Sequence, residues 1–110
     1  MYNDSEIMKG LINVKNRINS LRISEKDSVA VALEELRENS IANYKEGENV
    51  VQVNILQHIP IYHKFSIKDI NSGDFIYKYG QVIGKASKNI KKGQHVHSQN
   101  LVSIREFIKD

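Results

Sequence analysis

Apolar and polar positions alternate along most of the chain with a period near two, the spacing of a strand with one face buried. Leu21 and Ile23 alternate with Arg22 and Ser24, and a turn at Glu25–Ser28 leads into the apolar run Val29-Ala30-Val31-Ala32-Leu33. Further short runs follow at Val50–Val53 with Asn54–Leu56, at Lys64–Ile67, at Phe75–Tyr79, at Gln81–Ile83 and at His95–Leu101. The gaps between these runs are too short for helical crossovers, so the pattern predicts a mainly β domain of short strands and tight turns. Only the N-terminus reads differently. Ile7, Met8, Leu11, Ile12 and Val14 recur at roughly helical spacing with Asp4 or Ser5 available as N-cap, which predicts a short, weak helix or a disordered leader over 1–19. Residues 20–110 form the expected β domain.

A degenerate unit recurs within the β pattern: an apolar anchor, a turn position three residues on, and an apolar residue three beyond that. It reads Leu36-Asn39-Ala42, Ile59-Tyr62-Phe65, Ile70-Gly73-Ile76 and Ile90-Gly93-Val96. The first residue anchors a corner to the core, the middle one takes positive φ, and the last starts the outgoing strand. Glycine tolerates positive φ freely and asparagine moderately. Tyr62 fits poorly, so either its corner differs or the residue is held there for a reason.

Composition narrows the function classes. The 110 residues suit one domain, and they contain no cysteine, which excludes disulfides, a thiolate nucleophile and cysteine-ligated metals. This fits a cytoplasmic protein. No run approaches the roughly 18 apolar residues that span a bilayer, and the polar, acidic start is not a secretory signal, so no membrane partner is expected. The net charge of +3 owes much to Lys85, Lys88, Lys91 and Lys92. Without interleaved aromatics these read as a solvated basic loop rather than a nucleic-acid surface. The carboxylates at Glu34, Glu35, Glu38, Glu46 and Glu48 form no paired acid–base motif, and no Ser-His-Asp triad can be argued.

Four pieces stand out together: His58–Phe65, Ile70–Asp74, Ile76–Ala86 with Tyr79-Gly80-x-x-Ile83-Gly84, and Asn89–His97 with Gly93-x-His95-Val96-His97, ending at Asn100-Leu101. In this order and spacing they resemble the SAF domain of the altronate/galactarate dehydratase family, which also occurs as a small subunit in relatives such as sulfolactate sulfo-lyase. Asp27–Leu33 resembles that family's opening strand, so the likeness covers about Leu21 to Leu101. It implies a β-clip fold and the loss of water from a hydroxy acid, giving a 2-keto-3-deoxy product. It also implies a small subunit acting with a separate large one, because the larger C-terminal part of single-chain members has no counterpart here. Tyr62 replaces the glycine usual in relatives and His58 an acidic residue, so His58 is not counted with the family's histidines.

His95 and His97, at i and i+2 on an expected strand, would share one face and could converge on a divalent metal such as iron, manganese or zinc, shared with the large subunit. His63 is the natural third ligand, unless another chain supplies it, and it is also a candidate acid–base group beside a carboxylate-binding Lys64. Lys78 could neutralise a sugar-acid carboxylate and Tyr79 could stack on or hydrogen-bond the sugar. The plain alternatives are a basic surface turn at His63-Lys64, and a solvated lysine beside a core-packing tyrosine at Lys78-Tyr79. Asn100 reads as a strand-end hydrogen-bonding residue, and Gly80 and Gly84 as backbone devices. The leading function is a small subunit of a two-component sugar-acid dehydratase. A stand-alone carbohydrate- or acid-binding module, a sulfo-lyase subunit and a structural homo-oligomer are the rivals.

Overall fold

The computed structural model describes residues 17–104, and the helix expected from Ile7 to Val14 lies outside them. Within the described residues every named element is a strand: Ser20–Leu21 (β1), Val29–Ala32 (β2), Ile41–Glu46 (β3), Asn49–Asn54 (β4), Lys64–Ser66 (β5), Phe75–Lys78 (β6), Gln81–Ala86 (β7), His95–Val96 (β8) and Leu101–Ser103 (β9). All pairings are antiparallel, in a four-stranded sheet ordered β1-β2-β5-β8, a β3-β4 hairpin and a three-stranded sheet ordered β6-β7-β9. The mainly β, β-clip expectation is met.

The recurring unit seen in the sequence is the joint of this fold. Asn39, Tyr62, Gly73 and Gly93 all take positive φ, at 71°, 69°, 91° and 94°. Each donates its N–H to a strand alongside: Asn39 to Ile55 O (2.7 Å), Tyr62 to Ala32 O (2.7 Å), Gly73 to Ala86 O (2.8 Å) and Gly93 to Ser66 O (2.8 Å). Each corner also closes on itself, with Ser40, His63, Asp74 and Gln94 donating N–H groups to Arg37, Pro60, Asn71 and Lys91 carbonyls at 3.0–3.1 Å. The anchors pair two by two. Leu36 and Ile59 exchange backbone hydrogen bonds across one bridge, and Ile70 and Ile90 do so across another. Tyr62 therefore occupies the same geometry as the other corners, at a strain of roughly 1–2 kcal/mol for an L-residue.

Each anchor pair seeds its own core. Leu36, Ala42, Ile59 and Phe65 pack with Ala30, Ala32, Tyr44, Val53 and Ile55, whereas Ile70, Ile76, Ile90 and Val96 pack with Val29 and Ala86. β2 runs between the two cores, sending Ala30 and Ala32 to one and Val29 to the other. A strand buried on both faces reads as a continuous apolar run, which is why Val29–Ala32 shows no polar alternation. At Gly93 the halves touch closely: a Cβ there would lie 2.1 Å from Asn54 O.

Two elements differ from what the sequence pattern predicts. β3 was visible there only through Ala42, because Asn43, Lys45 and Glu46 mask its alternation. The run His95–Leu101 is not one strand: it is β8, a turn over 97–100, and β9. The Asn100 side chain breaks the run by taking over the ladder partners of His95 and His97.

Asp27 ties the β6–β7 hairpin to the preceding turn. Its Oδ1 accepts the Gly80 N–H (2.8 Å) and its Oδ2 those of Ser24 (3.0 Å) and Ile23 (3.2 Å). Burial raises the carboxyl's pKa, but the backbone N–H groups of Ser24, Gly80, Ile23 and Tyr79 outweigh it and hold the group below its ordinary value near 3.8. A depressed carboxyl contributes stability in full above the unfolded pKa and loses it as pH falls through the folded one. Asp27→Asn is therefore expected to be less stable at pH 7, by about 1–3 kcal/mol in urea melts. Its stability should also vary less with pH below 3.8 than that of the wild type.

The corners can be tested as a set by denaturant melts. Gly73→Ala meets open space and pays only for its φ, about 1–2 kcal/mol. Gly93→Ala adds a backbone collision and should cost about 3 kcal/mol or more. Tyr62→Gly should gain up to about 1 kcal/mol, the relieved strain less the extra chain entropy of glycine.

Candidate functional site

The register between β5 and β8 builds the site. It pairs Lys64 with Val96 and Phe65 with His95. Extended by one step, it sets His63 opposite His97, and strand alternation turns His63, His95 and His97 to the same face. The three rings gather accordingly. Ring centroids are 5.1 Å apart for His63 and His95, 5.0 Å for His63 and His97, and 5.6 Å for His95 and His97, with near-parallel planes. One nitrogen from each ring lies within 4.8 Å of the others, and His63 Nδ1 is 2.9 Å from His95 Nε2.

His63 stands at the last position of its corner, where the other corners spend the side chain on closing the turn. Ser40 Oγ donates to Arg37 O, Asp74 Oδ2 accepts from Asn71 N–H, and Gln94 Oε1 accepts from Lys91 N–H. The His63 ring instead reaches His95. This corner, with tyrosine at positive φ and histidine after it, departs from the other three at both positions.

His95 is held by Gln57, whose Oε1 accepts its backbone N–H (3.0 Å), and by Asn100, whose Nδ2 donates to its carbonyl (2.8 Å). Asn100 Oδ1 accepts the His97 N–H (3.0 Å), so one buried amide fixes the spacing of the two histidines after the strand has ended. Burial, then the neighbouring His63, His97 and Lys64, lower the His95 pKa, keeping its ring neutral and able to ligate at neutral pH.

Lys64 is half-buried on β5, and burial followed by the charge of Lys78 pulls its pKa down. It is close enough to influence His95. Lys78 lies over the Tyr79 ring, 4.9 Å from its centroid, and Tyr79 contacts that lysine rather than an imidazole. Tyr79 takes φ 55° and Gly80 φ 80° in the two-residue β6–β7 turn, so Tyr79 is a turn residue, 44% exposed, and not a core-packing strand end. His58 sits apart, paired with Glu35 (2.9 Å). The structure thus brings together His63, His95 and His97, places Lys64 beside them with Lys78 behind it, and leaves Tyr79 at the margin. Gln57 and Gln99 were not singled out from the sequence, and nothing in their local pattern marks them.

Three imidazole nitrogens on one surface fit a divalent transition metal. Imidazole suits iron, zinc, copper and nickel, and three protein ligands leave positions for other molecules. His63, His95 and His97 would hold the ion. Titration with Co²⁺, followed by its visible absorption, should show one site. Replacing any one of the three by alanine should weaken binding by at least about a hundredfold, more than loss of an outer-shell partner costs. Equal binding by wild type and His63→Ala would exclude the site.

The comparisons with known proteins agree with this picture. Residues 18–104 match the family described as the altronate/galactarate dehydratase SAF domain. Altronate dehydratase of Escherichia coli strain K12 is 36% identical over 80 residues, covering 73% of this chain but 15% of that protein. The (2R)-sulfolactate sulfo-lyase subunit alpha of Chromohalobacter salexigens is 33% identical over 60 residues, covering 54% of this chain and 64% of the relative. Its counterpart in Paracoccus pantotrophus is 43% identical over 47 residues, covering 43% and 70%. The chain thus spans a small part of the dehydratase and about two thirds of the sulfo-lyase subunits. With the family's match running through every described strand and through all three clustered histidines, this chain belongs to the altronate/galactarate dehydratase SAF-domain family.

Proposed function

We propose that the chain is the small subunit of a lyase that eliminates water from a sugar acid of the altronate or galactarate type, its imidazole cluster completing an active site on a separate large subunit. The observation that carries this reading is the convergence of His63, His95 and His97 on one face of the β5–β8 ladder. Family membership supports the lyase class, and the naming of the sulfo-lyase relatives as alpha subunits supports a partner subunit.

In such an elimination a base removes the proton α to the carboxylate and the β-hydroxyl leaves as water. The resulting enol then tautomerises to the 2-keto acid. A neutral imidazole suits removal of the α-proton, and an imidazolium, formed by that transfer or on a neighbouring ring, suits delivery of a proton to the leaving oxygen. Lys64, half-buried and with no ion pair found to a carboxylate among the described residues, would draw the substrate carboxylate toward the cluster, and Lys78 would add to that field. A bound ion would supply Lewis-acid polarisation of a substrate oxygen.

A second reading has its own support. Coverage of the sulfo-lyase alpha subunits, at 64% and 70%, is far higher than the 15% of the altronate dehydratase. In that reaction sulfite, not water, is the leaving group, and the same small subunit would serve.

Co-expression with a candidate large subunit tests both readings. The expected result is a complex on size exclusion that forms a 2-keto-3-deoxy acid from altronate or galactarate. Activity should fall by at least about a hundredfold in His63→Ala, in the range typical of lost acid–base groups. Sulfite release from sulfolactate without dehydration would select the second reading. Neither complex nor product would refute both.

A further inference from the structure

Gln99 touches the cluster from outside. It follows His95 by four residues in the turn after β8, and its amide Nε2 lies 3.2 Å from His95 Nδ1 and 3.4 Å from the His95 carbonyl oxygen. A carbonyl oxygen only accepts, so the group facing it is the NH2 end of the amide. The same NH2 then donates to Nδ1, which must carry a lone pair. The His95 proton is thereby placed on Nε2, the nitrogen that faces His63 Nδ1 at 2.9 Å. A directed chain results: Gln99 donates to His95, His95 donates to His63, and His63 keeps its own proton on Nε2.

This arrangement holds the cluster together without an ion but leaves His95 in the wrong tautomer to bind one through Nε2. Ligation requires the lone pair on Nε2 and the proton on Nδ1, with no net proton gained or lost by the ring. The Nδ1–H then needs an acceptor. Rotation of the Gln99 side-chain amide by half a turn presents Oε1 to Nδ1 and gives up the longer, 3.4 Å contact to the His95 carbonyl oxygen. A glutamine can serve both states, whereas glutamate could serve only the ligating one and an aliphatic side chain neither.

Resting on the reading of His63, His95 and His97 as a cation site, we propose that Gln99 is a positioning residue that sets the tautomer of His95. Its amide orientation switches that ring between a hydrogen-bonded, metal-free state and a ligating state. Gln99 is exposed, so its replacement leaves the two cores untouched. Its shorter contact is to the ring and its longer one to the His95 carbonyl oxygen, whereas Asn100 and Gln57 hold only the backbone of His95.

Long-range ¹H–¹⁵N correlation spectra of the full ¹⁵N-labelled chain at pH 8 read the tautomer directly, with Zn²⁺ alone as the probe. Wild-type His95 should carry its proton on Nε2 without metal and on Nδ1 with one equivalent of Zn²⁺. Gln99→Glu should show the Nδ1–H tautomer already without metal and bind Zn²⁺ about tenfold more tightly. Gln99→Leu should bind about tenfold more weakly, the lower end of what outer-shell partners contribute. Opposite signs in the two variants support the proposal, since a merely structural role would weaken both or neither. An unchanged His95 tautomer in metal-free Gln99→Glu, or affinity changes of the same sign, would overturn it. Absence of Zn²⁺ binding in the wild type would remove the cation reading and with it the switch, whereas the metal-free spectra separately decide whether Gln99 sets the tautomer.

Discussion

The constraint on which the rest of this structure depends is the positive-φ corner. At each of four corners one residue turns its N–H out of its own strand and into a neighbouring one, and the anchor three residues earlier exchanges backbone hydrogen bonds with the anchor of another corner. Strands of two to six residues cannot hold a sheet by length, so these exchanges supply the long-range pairing. They also satisfy backbone groups that would otherwise be buried without partners. The two anchor pairs divide the interior into two cores, and β2, apolar on both faces, joins them.

The candidate site follows from one corner being different. Three corners place a small or turn-forming residue at positive φ and close their turn with the next side chain. The second corner has Tyr62 and His63 in these positions, and the freed imidazole meets the pair delivered by β8. Tyr62 is 69% exposed, so packing does not offset the strain of its backbone. The register of β5 against β8 does the remainder, because a shift by one residue would send His63 to the other face. Amides then surround the assembled cluster: Gln57 and Asn100 on the backbone of His95 and Gln99 on its ring. Such neutral outer groups leave the fixed charge beside the cluster to Lys64 and Lys78.

Family membership and geometry speak to different things here. Within the matched span, Ile70, Gly73, Gly80, Ile90 and Gly93 are anchors and turn positions and specify the fold. The proposed chemistry rests on a few side chains laid over that frame, and the family includes relatives named for two different eliminations.

By itself the sequence determined the strand-rich class, the recurring corner and the residues able to do chemistry. Those properties reside in local spacing: period-two alternation, glycine or asparagine at a fixed offset, and a His-x-His pair. It could not decide that His63 joins His95 and His97, since they are brought together by long-range antiparallel register, which no local pattern encodes. It suggested one strand from His95 to Leu101, and tertiary structure replaced this with a turn clamped by Asn100, a side chain acting where a strand partner would. Gln57 and Gln99 were invisible for the same reason: an isolated glutamine has no periodicity, and only the fold brings it against an imidazole. Tyr62 lay between the two. Its offset within the repeat placed it at a corner, and only the structure showed that the corner keeps its geometry and its strain.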